Sequence, residues 1–482
     1  MMTNVKPYPA YKDSGVEWLG QVPAHWEVRR IKTLFRETDE RNGDGRRPLL
    51  SLTRARGIVP QAEASNRVAS VEDLSNYKVC KSGDLIMNRM QAWSGMFAVS
   101  STDGVISPDY SVFQPKTAID VNYFEALFKT PVLVGEFAKR SKGIGSGFNR
   151  LYTPDFGAVA IVSPPLPEQT AIVRFLDYMD RRMRRYIRTK QKLIKLLEEY
   201  KQALIHQAVT GKIDVRTGQP YPAYKPSGVE WLGEVPAHWE VRWLRTVVEI
   251  RVSNVDKHSR EDEKPVRLCN YVDVYKHDKI RSDMNFMQAT ASCEEIARFR
   301  LQIGDVLITK DSEMWNDIAV PALVETSAPD LISGYHLALL RPKHMVQGGF
   351  LFRAIQSPGV SYQFHVEANG VTRFGLSHDA IKSALVPLPS LPEQAAIVEY
   401  LDAQTAKIDA AIAAARREIE LLREYRERLI ADVVTGKVDV REVADRLPEE
   451  PAEEEAVEWI EEETTTEEAE DEGLSEESDA EA

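Results

Sequence analysis

The stretch from Leu166 to Arg216 reads as one long helix and returns 225 residues later, from Leu391 to Arg441, with its flanking strings LPEQ and VTGK intact. In the first copy Ile172, Leu176, Met179, Met183, Tyr186, Lys190, Leu193, Leu197, Tyr200, Leu204 and Ala208 follow one another at steps of four and three. That spacing is the seam of a coiled coil, with Lys190 its one polar member. Pro167 suits a first helical turn, Glu168 complements the positive helix end, and Thr210-Gly211 supplies a stop. At 1.5 Å per residue the helix is roughly 60 Å long, too long to bury itself in a compact domain, so it needs a partner helix. The second copy offers one, since Ile397, Leu401, Gln404, Ile408, Ala411, Ala415, Ile419, Leu422, Tyr425 and Leu429 keep nearly the same phase. Two unrelated surface helices would not repeat their flanks as well as their period.

A second repeat precedes each variable region. Tyr8 to Leu34 returns as Tyr221 to Val247 with 21 of 27 positions identical, which marks an internal duplication. Its prolines and glycines exclude a long regular element, so it reads as an ordered extended segment that docks through large apolar anchors. Trp18 and Trp26, and Trp231 and Trp239 in the second copy, are the expected docking residues. His25 and His238 share one frame and are expected to cap or pack, because no acid or nucleophile is fixed beside them in sequence.

Composition narrows the class. The net charge of −13 conceals an asymmetry: positions 442–482 hold 20 acidic residues against Arg446 alone, leaving a body of 60 basic and 54 acidic residues. The acidic tail is expected to be solvated and unnecessary for folding, while the weakly basic body remains compatible with nucleic acid. Cys80, Cys269 and Cys293 lie far apart, which argues against a disulfide framework and a cysteine zinc site. Neither a signal-peptide core nor a run of about 18 apolar residues is present, so a cytoplasmic protein without membrane association is expected.

Between the repeats, residues 36–163 and their counterparts in the second half alternate short apolar runs, turns and helical stretches, the pattern of mixed α/β (α+β) domains. Gly83-Asp84-Leu85-Ile86 matches Gly304-Asp305-Val306-Leu307, and Gln114-Pro115-Lys116 matches Arg341-Pro342-Lys343. Dissimilar polar stretches lie between these shared points: Asn88 to Trp93 in one half, Lys310 to Asn316 in the other. Each half also has a glycine-containing loop before its long helix, with Lys142, Asn149 and Arg150 in one and Arg373 in the other. Arg89, Gln91, Lys142, Asn149, Arg150, Lys310, Asn316 and Arg373 are the candidate contact residues of these stretches, and the family resemblance described below implies that they face DNA. Arginine, lysine, asparagine and glutamine are the side chains that reach base edges and phosphates.

No catalytic constellation emerges. The strings nearest to a methyltransferase motif, Ser163-Pro164-Pro165-Leu166 and Ser107-Pro108-Asp109-Tyr110, lack the Asn or Asp that binds a target amine. The one nuclease-like string, Glu199-Tyr200-Lys201, falls on the coiled-coil helix. No phosphate-loop lysine motif and no metal-spaced histidine pair occur, so no catalytic or metal residue is assigned.

The docking repeat, the two LPEQ helix starts and the two VTGK ends closely resemble the specificity subunits of type I restriction-modification systems, over roughly residues 5 to 441. The resemblance implies two target recognition domains separated by two long antiparallel coiled-coil helices, with an internal pseudo-twofold repeat. In chain order these are a docking segment and first domain (1–164), a spacer helix (165–213), the repeated segment and second domain (214–389), a second spacer helix (390–441) and the tail (442–482). It further implies a non-catalytic chain that reads a bipartite double-stranded DNA target and docks two modification (methyltransferase) subunits, with restriction (endonuclease/translocase) subunits joining them. S-adenosylmethionine, Mg2+ and ATP belong, on that reading, to the partner subunits and not to this chain. The competing class is a coiled-coil adaptor whose two domains bind peptides.

The duplication also predicts a closure. If the helices run antiparallel with Lys190 opposite Ala415, then Met183 meets Leu422, Tyr186 meets Ile419, Leu197 meets Ile408, Leu204 meets Leu401 and Leu176 meets Leu429. The link from Ile213 to Tyr221 then maps onto the gap between Val438 and Tyr8, which should lie together although no peptide bond joins them.

Overall fold

The computed structural model describes residues 5–43, 46–64, 74–143, 149–261 and 263–448. The chain forms two compact units, residues 1–190 with 417–482 and residues 191–416. The long helices Leu166–Val209 and Leu391–Val434 each contribute one part to each unit.

Within the first unit the helices run antiparallel. Asp180 pairs with Arg426, Tyr186 Oη donates to Glu418 at 3.0 Å, and Lys190 Nζ meets the same carboxylate at 2.8 Å. The second unit repeats the arrangement, with Glu198 on Arg416 at 2.9 Å and Lys201 on Asp409 at 2.7 Å. Met183, Leu176, Leu422 and Leu429 share the first unit's core, and Leu197, Leu204, Leu401 and Ile408 share the second's, so both members of each of these expected pairs fall in one core. The seam itself departs from the expected phase. Tyr186, Leu193, Tyr200 and Tyr425 are exposed, and the buried positions are Ile187 and Ile412 instead of Tyr186 and Ala411. Met179, Met183 and Ile187 stand at two successive steps of four, a stutter that a straight 3.6-residue helix introduces to keep its seam facing the partner. At that branch point the aliphatic Ile187 takes the closed position and the tyrosine keeps its hydroxyl at the rim.

In the first unit, the four-stranded antiparallel sheet runs Phe35–Thr38, Tyr110–Pro115, Leu85–Asn88, Phe97–Val99. Helices Val121–Phe128, Pro131–Arg140 and Thr153–Ala158 cover one face with a cluster of rings. Phe97 lies 5.2 to 5.7 Å from Phe128, Phe137 and Phe156, centroid to centroid. A second, smaller core holds Leu50, Leu52, Ile58, Ile86 and Ile106.

The second unit has a five-stranded sheet in the order Val248–Val252, Leu337–Pro342, Val306–Thr309, Pro321–Val324, Lys279–Ile280, and a three-stranded sheet built on Lys264–Cys269. The shared Gly-Asp turns enter the central strand in both units. Gly83 and Gly304 sit at φ +89° and +88°, a region L-residues avoid. Asp305 is buried under a two-pronged contact from Arg341, 2.9 and 2.7 Å, whereas burial raises the pKa of Asp84, whose partner in that place is Gln114. The fold point is thus the same while the side chain across it differs.

The helix Arg441–Asp445 follows the second long helix and buries Ala444, so the first residues of the segment drawn above as a tail pack on the first unit. Residues 449–482 lie outside those described.

Candidate functional site

The repeated strings of the sequence converge on one clamp in each unit. In the first, the buried Glu168 carboxylate at the start of its helix receives Tyr8 Oη at 2.5 Å and Trp26 Nε1 at 3.0 Å, and lies 2.8 Å from His25 Nε2. Arg441 stands 4.0 Å from the same carboxylate and is held by Asp439 at 2.6 Å. Gly436, at the end of the other long helix, closes the clamp from below: a Cβ there would lie 2.5 Å from Pro23 and 2.9 Å from Trp26, at φ +80°. The second unit repeats this with Glu393. His238 Nε2 lies at 2.9 Å, Trp239 Nε1 and Tyr221 Oη each at 3.4 Å, and Ser390 Oγ donates at 2.8 Å. Gly211 there has Pro236 2.4 Å and Trp239 3.1 Å from the place of a Cβ. Burial works to raise the Glu393 pKa, but the His238 and Ser390 hydrogen bonds outweigh it and hold the carboxyl below its ordinary value. Hydrogen bonds from Arg216 likewise hold Asp214 down.

Two of the four tryptophans assigned to partner docking therefore do something else. Trp26 and Trp239 are fully buried, with their indole N–H groups on this chain's own glutamates, and offer no surface to a partner. Trp18 is half-buried and Trp231 exposed, so these two still have a face to present. Sequence reasoning gave Glu168 only a helix-dipole role. The signal that could have placed it was the joint repetition of YPAY, AHW and LPEQ.

The eight residues expected at DNA fall on the same edge of each domain, just past the central strand. Arg89 follows Leu85–Asn88; its carbonyl accepts the N–H of Leu151, and its Nε donates to the Asp109 carbonyl at 2.6 Å. Arg150 reaches the Asp109 carboxylate at 3.5 Å and exchanges two 2.9 Å backbone hydrogen bonds with Lys142. Lys142 is paired with Asp155 at 2.8 Å. Gln91 and Asn149 are exposed beside them. In the second unit Lys310 follows Val306–Thr309, and its carbonyl accepts the N–H of Leu376 at 2.9 Å. Strands Asp311–Ser312, Phe374–Gly375 and Asn369–Gly370 form a small ribbon with exposed Arg373 at its turn. Asn316 is exposed in the loop beyond. Asp109 and Asp311, which the sequence did not single out, anchor the basic side chains: Asp311 holds His336 Nδ1 at 2.6 Å and Lys310 Nζ at 3.3 Å. Exposed Trp93 and Trp315 stand in these same loops.

Among the described residues no group of three His, Cys, Asp or Glu could hold a metal ion, and no helix is long and apolar enough to cross a membrane.

Two mixed domains, each carrying a variable polar edge and each clamped by the same repeated strings to paired helices, define a duplicated module. The chain is similar to specificity subunits of type I restriction-modification systems. Residues 23–196 match the family model of the type I restriction modification DNA specificity domain. The MjaVIII specificity subunit of Methanocaldococcus jannaschii is 22% identical over 87% of this chain and 95% of its own length. The EcoBI specificity subunit of Escherichia coli is 32% identical over 18% of each chain. In three dimensions the chain is similar to one from a structure described as concerning complex assembly and conformational transition of the type I R-M system, with TM-score 0.65, 16% identity, and coverage of 86% and 98% of the two chains.

Proposed function

We propose that this chain is the non-catalytic subunit that gives a type I restriction-modification complex its DNA sequence specificity. Each domain reads one half of a bipartite duplex target, the paired helices set the separation of the halves, and the assembly docks two modification subunits, which restriction subunits then join. On this reading the chain works in the cytoplasm, and S-adenosylmethionine, Mg2+ and ATP act on the partner subunits. The observation that carries the proposal is that one scaffold point presents unlike side chains in the two units: Arg89 with Gln91 and Arg150 in one, Lys310 with Asn316 and Arg373 in the other. Two different readers on a duplicated support give an asymmetric, split target.

Genome-wide methylation mapping with and without this chain tests it. The expected result is a split motif present only with the chain, and Arg373→Ala should relax one half of that motif alone, at a cost of about 1 to 3 kcal/mol in discrimination. An unchanged methylation map on deletion would sink the proposal. The adaptor reading predicts instead little salt dependence of DNA binding, whereas phosphate contacts give a steep slope.

A further inference from the structure

We infer that the acidic segment 449–482 docks within its own chain, on the basic run of nearly three turns of the first long helix between Arg181 and Lys190. This stands independently of the DNA-reading proposal. The helix there carries Arg181, Arg182, Arg184, Arg185, Arg188 and Lys190 in ten residues, with no acid among them. The facing helix from Arg417 to Glu424 adds two basic and three acidic residues. Arg184 is engaged by Asp180 at 2.6 Å, Arg182 by the Tyr178 hydroxyl at 2.8 Å and Lys190 by Glu418. Whichever ion pairs form, the count leaves an excess of positive charge on this part of the unit.

Where the described chain ends decides the occupant. Arg174, on the same helix, donates through Nη2 to the Leu447 carbonyl at 2.8 Å, so the described chain ends beside the helix two turns before the basic run. Arg181 is about 10 Å further along. The 34 residues that follow Pro448 hold 18 acidic and no basic side chains. Random-chain statistics for 34 residues give an end-to-end span of about 30 Å, which covers the whole run at an effective concentration in the millimolar range. Charge complementarity and tethering therefore act together, and a mobile polyanion such as duplex DNA must displace the segment to reach these arginines.

The test uses the full chain with Cys293→Ser and dyes placed at Thr189→Cys on the exposed helix face and at Ser475→Cys. Docking predicts high energy transfer at low salt that falls as salt rises to about 0.5 M, where charge interactions are screened within a few ångströms. An undocked acidic segment gives the opposite sign, because salt relieves its self-repulsion and contracts it. In the background Arg181→Gln with Arg185→Gln, or in Glu461→Gln, Glu462→Gln, Glu463→Gln with the helix untouched, the low-salt transfer should drop to the high-salt level. Transfer that ignores salt, rises with it, or survives the helix substitutions overturns the inference. So does a helix variant that loses nonspecific duplex affinity with transfer unchanged, since that marks the run as a DNA track and places the acidic segment elsewhere.

Discussion

Glu168 and Glu393 are buried carboxylates satisfied by hydrogen-bond donors of this chain. Glu168→Ala strands the Trp26 N–H and the Tyr8 hydroxyl around a void. A loss of about 3 kcal/mol or more is expected in denaturant unfolding, with Glu168→Gln retaining part of it by keeping an acceptor. A loss under about 1 kcal/mol for the alanine variant would show that water replaces the carboxylate freely. The pH dependence has a definite sign at Glu393. Its folded pKa lies below the ordinary 4.5, so between those values the unfolded chain binds a proton that the folded chain does not. The contribution is complete above the ordinary value and is lost as pH falls through the folded one. Glu393→Gln should therefore lower stability near about pH 7 and flatten the acid limb of the stability curve, which thermal melts across pH would register. The glutamates were visible in the sequence as repeated letters, yet their role depended on contacts between segments 142 to 172 residues apart, which no local spacing encodes.

At the scale of the element, the long helices were legible because a 44-residue periodic run with a proline start and a glycine stop admits one reading. The detail of the seam was less so. Alternating steps of three and four fit Tyr186, Leu193 and Tyr200 as well as Ile187, Ile194 and Lys201, and only packing against the second helix chooses between them. The choice is measurable: Ile187→Ala should cost about 2 to 4 kcal/mol, while Tyr186→Ala, which loses a rim hydrogen bond to Glu418, should cost about 1 kcal/mol or less. Equal costs would restore the simpler heptad. The domain strands were legible as apolar runs between turns, but the edge carrying Arg89 and Lys310 was not. It is made by a loop residue 60 or so positions later, Leu151 or Leu376, bonding to the strand exit, and a single sequence offers no sign of that partner. For the same reason Asp109 and Asp311 were overlooked, since an acid at an expected DNA edge makes sense only once the arginines and histidine it holds are seen.

At the scale of the whole molecule, the predicted closure is present. Lys6 and Asp439 are antiparallel bridge partners, Asp439 N donates to the Lys6 carbonyl at 2.8 Å, and Tyr11 Oη donates to the Lys437 carbonyl at 3.2 Å. The second unit makes the same join with its chain intact: Asp214 bridges Gln219, Asp214 N donates to the Gln219 carbonyl at 2.8 Å, and Tyr224 Oη donates to the Lys212 carbonyl at 3.4 Å. The two clamps are therefore built alike, one across a continuous backbone and one across a gap. It follows that the order in which the backbone visits its parts is an accident of where the circuit is opened, and that opening it elsewhere should be tolerated. A protease site placed at the exposed turn Thr217-Gly218 and cut after folding should leave two fragments that co-elute and melt as the intact protein does. Fragments that part without denaturant would mean that the peptide link, and not the glutamate clamp, holds the second junction.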